Sequence, residues 1–225
     1  MFPRHAGAIV ELERVMAARC FDWVAASFLL VLIAPLLLLI AILIVLDDGG
    51  PVLFMQTRVG RHKRPFRICK FRSMREARVT RVGRRLRSTG LDEVPQLVNV
   101  LLGAMSVIGP RPLTNADVLR LKWDGDKHAL RWSVRPGIIG LAQLYAGRGA
   151  RLSWFLDCRY VNARRLGMDV GIIVLSAAMT LAGKRRIRHW LRRRRVLRRL
   201  EAVGCPVNAY QLRGQRLRGA LQHAE

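Results

Sequence analysis

The sequence predicts a mostly helical α/β protein, built as a single domain at a membrane surface. Three observations predict this class: an uncharged apolar run near the N terminus, two short strand patterns after it, and several helix patterns beyond them. The chain has 225 residues, a length typical of one domain or slightly more. Because 51% of the residues are hydrophobic, a disordered polycation is excluded despite the formal net charge of +25.

The apolar run covers residues 23–46 and contains no charged residue. It exceeds the roughly 20 apolar residues that cross a bilayer as a helix. Acidic residues precede it, and the Asp47-Asp48-Gly49-Gly50 segment that follows does not resemble a signal-peptide cleavage site. We therefore expect the run to remain in the protein as a membrane helix.

Pro35 divides this run into halves of about 12 residues, each roughly half the length of a spanning helix. Basic residues flank both ends of the run, so the positive-inside rule places both ends in the cytoplasm. These residues are Arg4, Arg14 and Arg19 before the run and Arg58, Arg61, Lys63 and Arg64 after it. Two structures fit: a helix that bends at Pro35 and leaves by the face it entered, or a kinked single span.

Local patterns in the rest of the chain predict short strands and helices. Two strands around a basic turn form a small β-hairpin, at residues 51–56 and 65–72. Helices are expected at 8–20, at 91–103, within 114–130, at 153–166 and at 170–182. The predicted organisation is an N-terminal amphipathic segment (1–20), a membrane helix (21–48), a cytosolic domain at the membrane surface (49–183) and a basic C-terminal tail (184–225).

The excess of positive charge indicates an anionic partner. Nucleic acid, phospholipid headgroups and a phosphorylated substrate all fit such a charge. Residues 184–200 contain many Lys and Arg and no acid, which fits either a helix on an anionic membrane or a solvated tail. The four cysteines include no Cys-x-x-Cys pair, and the five histidines lack metal-ligand spacing, so neither a disulfide framework nor a typical zinc site is expected.

Asp92 and Glu93 form the one Asp-Glu pair of the chain. Carboxylates here can serve simply to stabilise the first turn of a helix. In the functional interpretation, nearby arginines and the helix N terminus favour the ionised form of Asp92, which attacks a phosphoryl group while Glu93 holds a divalent metal. Arg111, between Pro110 and Pro112, is either a surface ion-pair residue or a phosphate-binding residue.

These residues belong to a series of motifs in a distinctive order. The motifs are Lys70-Phe71-Arg72-Ser73-Met74, Leu91-Asp92-Glu93-Val94-Pro95-Gln96-Leu97, Asn99-Val100, Met105-Ser106, Gly109-Pro110-Arg111-Pro112 and Arg135-Pro136-Gly137. With them, over residues 19–180, the chain resembles the bacterial sugar transferases. These are monotopic phosphoglycosyl transferases that load the first sugar phosphate onto a polyprenyl phosphate.

The resemblance implies a re-entrant, Pro-bent membrane helix and a catalytic domain on the cytoplasmic face of the inner (cytoplasmic) membrane. It implies transfer of a sugar 1-phosphate from a UDP-sugar to polyprenyl (undecaprenyl) phosphate, as the first membrane step of glycoconjugate or exopolysaccharide synthesis. By position, Asp92 would form a covalent phosphosugar intermediate and release UMP. Glu93 and Asp157 would bind the Mg²⁺ cofactor.

The resemblance also implies which residues hold the substrates. Lys70 and Arg111 would contact phosphate oxygens, and Arg87 and Arg135 are further candidates on the nucleotide side. The implied partners are the UDP-sugar donor, the polyprenyl phosphate acceptor and membrane phospholipids, with no nucleic acid.

The chain departs from the family pattern at three positions. Ala34 replaces the Ser of a Ser-Pro pair, Ala104 replaces an acid before Met-Ser, and Ile139 replaces a Thr. Two alternatives to an active enzyme remain: an inactive relative, and a non-catalytic membrane-anchored polybasic protein that binds anionic lipid or nucleic acid. The second alternative gives the Asp92-Glu93 pair no role, and the sequence contains no RNP1, zinc-finger or bZIP pattern.

Overall fold

The computed structural model describes residues 4–145 and 149–181. The chain divides into two compact units, the first containing residues 1–58 and 65–107 and the second containing 59–64 and 108–225. Each unit has its own hydrophobic cluster among the described residues. The described secondary structure is mostly helical with small two-stranded sheets, as the sequence predicts.

The first unit begins with helix α1, Arg4–Asp48, which contains Pro35. The helix continues without a break from the N-terminal segment into the apolar run. Its part Met16–Asp48 is long and apolar enough to cross a membrane, and most of that part is exposed. The side chains of Phe28, Val31 and Leu46, for example, are 67% to 77% exposed. The length, composition and exposed surface of α1 therefore fit a helix surrounded by lipid.

Polar contacts attach the beginning of the apolar run to the first unit. The buried Asp22 carboxylate accepts hydrogen bonds from Ser106 Oγ and from the Val107 N–H, each at 2.9 Å. One turn earlier, Arg19 Nη1 donates to the Val100 carbonyl at 2.7 Å. Charged groups at the beginning of the apolar run thus face the folded protein, while the apolar side chains of the run face outward.

A second set of contacts attaches the end of the same run to the same unit. Asp47 Oδ2 accepts from the Val82 N–H at 3.0 Å, and Asp48 forms an ion pair with Arg72. Beside them lies the hydrophobic cluster of the first unit, formed by Ile40, Ile44, Phe71 and Leu86. Both ends of the apolar run are therefore held by one unit.

Two hairpins follow α1. Strands β1, Leu53–Val59, and β2, Pro65–Phe71, pair with each other and confirm the predicted hairpin. Strands β3, Met74–Arg75, and β4, Arg78–Val79, form a short antiparallel pair.

Helices α2, Arg81–Thr89, and α3, Gln96–Leu101, complete the first unit. Thr80 caps α2 by accepting from the Gly83 N–H at 2.9 Å, and Gly90 ends it with a φ of 84° that favours glycine. The helix predicted at residues 91–103 begins instead as a 3₁₀ turn. One reason is that Pro95 has no N–H to extend an α-helical hydrogen-bond series.

The second unit contains the remaining short elements. Strand β5, Ser106–Ile108, leads into it, and its described helices and strand are α4, Asn115–Leu121, α5, Ala129–Trp132, β6, Gly137–Ile139, α6, Leu141–Leu144, α7, Ala150–Ala163, and α8, Leu166–Leu181. Its hydrophobic cluster consists of Val59, Val118, Trp123 and Trp132. Residues 137–144 lie between the helices that the sequence predicts, and the structure forms β6 and α6 there.

Two helix boundaries in the second unit differ from the prediction. The sequence predicts a helix that begins at Ser153, but α7 begins three residues earlier, after Gly149. Asp169 was expected to precede the last apolar helix, but it lies inside α8, where its carboxylate accepts a hydrogen bond from Tyr160 at 3.0 Å. The predicted basic tail at 184–225 lies outside the described residues.

Candidate active site

The Asp92-Glu93 pair lies in the 3₁₀ turn Leu91–Glu93, between α2 and α3. The turn starts directly after Gly90, and the Glu93 N–H donates to the Gly90 carbonyl at 3.2 Å. Leu91 packs against the hydrophobic cluster that includes Ile40 and Ile44 of α1. The two carboxylates are thus presented by a short turn whose first residue is anchored on the membrane helix.

Lys70 on β2 contacts the second carboxylate of the pair. Its Nζ lies 2.7 Å from Glu93 Oε1, and both side chains are largely buried. Asn99 on α3 holds this helix against β2. Its Oδ1 accepts from the Cys69 N–H at 2.9 Å, and its Nδ2 donates to the Arg67 carbonyl at 2.8 Å. The structure therefore brings together two residues that the sequence predicts for one site.

Burial raises the pKa of Asp92 above its ordinary value, and the neighbouring Glu93 charge raises it further. Lys70, a backbone hydrogen bond and Arg87 act in the opposite direction. The expectation that the surroundings favour the anionic form is therefore wrong in its net direction, since desolvation outweighs the nearby cations. The result is a carboxylate that is more basic than a solvated aspartate.

In the second unit, the side chain of Arg111 is exposed, and backbone hydrogen bonds fix the two residues before it. The Gly109 N–H donates to the Ile139 carbonyl at 3.0 Å, and the Gly137 N–H donates to the Pro110 carbonyl at 2.9 Å. Glycine is needed at 109, since a Cβ there would lie 2.6 Å from the Arg135 carbonyl oxygen. The side chain of Arg111 therefore projects from a fixed segment.

Asp157 on α7 is 3% exposed and pairs with Arg131 on α5, with 2.8 Å between Oδ2 and Nε. Burial raises the pKa of Asp157, while the charge and hydrogen bond of Arg131 act to lower it. Arg131 also donates from Nη2 to the Arg111 carbonyl at 2.5 Å. The residue predicted as a metal ligand is thus bound to a buried cation.

Arg135 lies in a crowded group of cations. Burial lowers the pKa of Arg61, and the charges of Arg135 and Arg164 lower it further. Arg61 Nε donates to the Ser133 carbonyl at 2.9 Å, which holds it beside the segment that carries Arg135. Like charges held near each other in this way favour the binding of an anion.

The predicted site residues fall in both units. Four belong to the first unit, namely Lys70, Arg87, Asp92 and Glu93, and three belong to the second, namely Arg111, Arg135 and Asp157. Sequence reasoning gave no role to Asn99, Arg131 or Asp22. Their partners are 20 to 85 residues away along the chain, so no local pattern identifies them.

The carboxylates present suit Mg²⁺. Within the described residues, no group of three or more His, Cys, Asp or Glu side chains converges on one point. Mg²⁺ does not need such a group, because it keeps several waters and is commonly held by one or two carboxylates together with substrate phosphates. The adjacent Asp92 and Glu93, whose mutual repulsion a cation would relieve, fit this requirement.

Comparison with known proteins gives a consistent result. The model of a family described as bacterial sugar transferase matches residues 13–183. The chain is 39% identical to an undecaprenyl-phosphate glucose phosphotransferase of Komagataeibacter xylinus, over 72% of the chain and 35% of that protein. It is 38% identical to a UDP-glucose:undecaprenyl-phosphate glucose-1-phosphate transferase of Caulobacter vibrioides, over 76% of the chain and 72% of the relative.

A third relative carries a different sugar in its name. The chain is 39% identical to a UDP-N-acetylgalactosamine-undecaprenyl-phosphate N-acetylgalactosaminephosphotransferase of Aeromonas hydrophila, over 73% of the chain. The match covers 44% of that protein. The chain therefore spans less than half the length of two of these three relatives.

Proposed function

Because this chain belongs to the bacterial sugar transferase family, we propose that it transfers a sugar 1-phosphate from a UDP-sugar to polyprenyl (undecaprenyl) phosphate. The observation that carries the proposal is the Asp92-Glu93 turn with Lys70 at 2.7 Å from Glu93, inside the region that matches the family. The names of the three relatives all contain undecaprenyl phosphate and a sugar phosphate transfer. They name two different sugars, so the donor is assigned here only as a UDP-sugar.

In the proposed reaction, an Asp92 carboxylate oxygen attacks the β-phosphorus of the UDP-sugar. A bond from this oxygen to phosphorus forms, and the bond from phosphorus to the bridging oxygen breaks, so that UMP leaves with that oxygen. A phosphate oxygen of the polyprenyl phosphate then attacks the same phosphorus and frees Asp92. The raised pKa of Asp92 supports this role, since a more basic carboxylate is a stronger nucleophile once it is ionised.

The charge of the donor diphosphate opposes attack by an anion. Glu93 would hold Mg²⁺, and the bound ion would supply positive charge that offsets part of the diphosphate charge. Lys70 and Arg87 act on the same carboxylate turn, since both favour the ionised form of Asp92. Arg111 and Arg135 as phosphate-binding residues, and Asp157 as a second metal ligand, stay predictions for the second unit.

We further propose that α1 is re-entrant and that the active site lies on the cytoplasmic face of the inner membrane, in contact with phospholipids. Two contacts support this: Asp22 at the beginning of the apolar run and Asp47 at its end are both hydrogen-bonded to the first unit. A helix that crossed the bilayer would carry these two residues to opposite faces. The basic flanks of the run are consistent with two cytoplasmic ends.

The topology is tested by labelling single-cysteine variants in sealed inverted vesicles. The engineered cysteines replace Met16 and Gly50, one at each end of the apolar run, in a chain whose own cysteines are changed to serine. A membrane-impermeant maleimide should label both positions in inverted vesicles and neither in intact cells. Labelling of one position in each preparation would establish a single span.

The reaction is tested with the full-length protein in nanodiscs, with Mg²⁺, undecaprenyl phosphate and a panel of UDP-sugars. We expect UMP release with at least one donor and a loss of at least about a thousandfold in Asp92→Asn. Asp124→Asn, at an exposed aspartate, is the matched control and should release UMP at the wild-type rate. Intact-protein mass spectrometry should detect the mass of one phosphosugar on wild type and not on Asp92→Asn.

The opposite outcome is equally specific. If wild type released no UMP with any donor but bound anionic vesicles or nucleic acid, and Asp92→Asn bound them as well, the chain would be a non-catalytic polybasic protein. Release of UMP that persisted in Asp92→Asn would retain the reaction and exclude the covalent intermediate on this residue.

A further inference from the structure

We propose that Arg131 and Asp157 form a buried positioning pair, which holds the main chain of Arg111 so that the Arg111 side chain is fixed for phosphate binding. The inference rests on the proposed function, because it requires Arg111 to bind a phosphate group. It gives Asp157 a role other than the metal ligand that the sequence predicts.

Arg131 is the centre of this arrangement. Its side chain is 3% exposed, and the guanidinium group has two different acceptors on two sides. Nε donates to Asp157 Oδ2 at 2.8 Å, and Nη2 donates to the Arg111 carbonyl at 2.5 Å. The guanidinium carbon also lies 5.2 Å from the ring centre of Trp123 and 4.7 Å from that of Trp132.

The choice of arginine indicates positioning. A guanidinium is planar and carries five N–H donors in fixed directions, so it can bind a carboxylate and a carbonyl at once in a defined geometry. A buried ion pair is a poor means of stabilising a fold, because desolvation of both charges offsets their attraction. The pair is better explained by the carbonyl that it holds.

The held carbonyl belongs to the residue that directly follows two others with a fixed main chain. Residues 109 and 110 are fixed by backbone hydrogen bonds to Ile139 and Gly137. Arg111 comes next, and its carbonyl is bound by Arg131. Because the main chain at Arg111 is already fixed, only its side chain loses freedom when it binds an anion, which strengthens binding.

Substitution of the pair should therefore weaken phosphate binding through Arg111. The probe is UDP, and its affinity for the full-length protein in nanodiscs is measured by microscale thermophoresis without Mg²⁺. We expect Arg131→Lys, which keeps the charge and loses the planar donors, to weaken UDP binding about tenfold. Arg120→Lys is the matched control, because Arg120 forms an exposed ion pair with Asp117 in the same unit, and it should leave UDP affinity unchanged.

A double-mutant cycle separates positioning from general destabilisation. If Arg131 acts through Arg111, then adding Arg131→Lys to Arg111→Ala should weaken UDP binding by less than about twofold further. If the two substitutions weaken UDP binding independently, so that their fold-changes multiply, the proposal is overturned. Wild-type UDP affinity in a normally folded Arg131→Lys variant would also overturn it. A thermal unfolding curve of each variant shows whether that variant is folded.

Asp157→Asn distinguishes the two roles of the carboxylate and preserves its size. The positioning role predicts weaker UDP binding without Mg²⁺, and a Mg²⁺ concentration for half-maximal UMP release within about twofold of wild type. An increased Mg²⁺ requirement with unchanged UDP affinity would make Asp157 a metal ligand and overturn the proposal. Failure of both Asp157→Asn and Arg131→Lys to fold would also overturn it, by assigning the pair to stability.

The cycle also separates this inference from the proposed function. If wild type binds UDP and the variants bind it equally well, only the positioning role fails. If wild type neither binds UDP nor releases UMP, the proposed function fails and the positioning role fails with it.

Discussion

At the scale of single residues, Asp92 shows how burial and a like charge compete with nearby cations for one carboxyl group. Burial and Glu93 raise its pKa, and Lys70 and Arg87 lower it. The competition has two consequences that can be measured separately, one in the pH dependence of the reaction and one in the stability of the fold.

The first consequence concerns Lys70. Lys70→Met removes a charge that lowers the pKa of Asp92, so the pKa should rise further. In the proposed reaction Asp92 attacks in its ionised form, so the acidic limb of the pH–rate profile should move to higher pH. Arg85→Gln removes a charge from the same basic helix as Arg87 and is the control, for which we expect the wild-type profile. An unchanged profile in Lys70→Met would show that another group limits the rate at low pH.

The second consequence concerns stability. A folded-state pKa above the unfolded one means that the folded protein holds the proton more tightly, so stability falls as pH rises through the folded pKa. Asp92→Asn removes the cost of the buried charge, and we expect a higher Tm near pH 7. The difference should disappear in acid, where Asp92 is protonated. Asp92→Asn with a lower Tm at pH 7 would contradict the raised pKa.

Asp117 provides a comparison of opposite sign. Hydrogen bonds from Thr114 lower its pKa, and Arg120 lowers it further. Its contribution to stability is therefore present at neutral pH and is lost as pH falls through the lowered pKa. Asp117→Asn should lower Tm at pH 7, because it weakens the capping box of α4. The expected loss in the free energy of unfolding is about 1 kcal/mol. Differential scanning fluorimetry from pH 3 to pH 8 measures both variants.

At the scale of elements, sequence patterns over a few neighbouring residues predict those helices and strands that depend on interactions between neighbouring residues. The hairpin of β1 and β2 and the apolar helix are recovered because alternation and hydropathy act over neighbouring residues. The first turn of α7 is missed because Gly149, which precedes it with a φ of 95°, has no side chain to form the capping hydrogen bond that marks a helix start. The first turn of α8 is missed because the apolar pattern begins only after Asp169, whose partner Tyr160 belongs to another helix.

Asn99 connects β2 to α3, the helix that follows the Asp92-Glu93 turn. It binds the backbone of β2 on both sides of Ile68, and β2 supplies Lys70. Asn99→Ala should leave a buried N–H and a carbonyl without these bonds and cost about 1–3 kcal/mol of stability. It should also slow UMP release, because Lys70 is no longer aligned with Glu93. Asn162→Ala, which removes a hydrogen bond to the Cys158 carbonyl within α7, is the control and should have little effect on either measurement.

At the scale of the whole molecule, the order of motifs predicted the family, and spacing alone could not have placed the site. Asp22 and Val107 are separated by 85 residues, and Lys70 and Glu93 by 23. Such contacts depend on how the elements pack, which hydrophobic periodicity does not encode. The same limit explains why the role of Arg131 emerges only from the structure.

The basic tail gives a prediction for the complete chain. Residues 184–225 lie outside the described residues, and their Lys and Arg content predicts attachment to anionic lipid. Deletion of 184–225 should weaken binding to vesicles that contain phosphatidylglycerol, and the loss should be largest at low salt. Co-sedimentation at two ionic strengths measures this. Equal binding by the truncated and complete proteins would leave membrane attachment to α1 alone.

The attachment of the apolar run at both ends also limits how its length can vary. Each residue turns an α-helix by about 100°, so one residue inserted near Pro35 would rotate Asp47 away from the side that Asp22 faces. Seven inserted residues restore the rotation but lengthen the helix by about 10 Å, beyond the spacing of its two attachment points. The number of residues in the apolar run is therefore set by the surface of the folded protein, and a thicker or thinner bilayer would not select a different length.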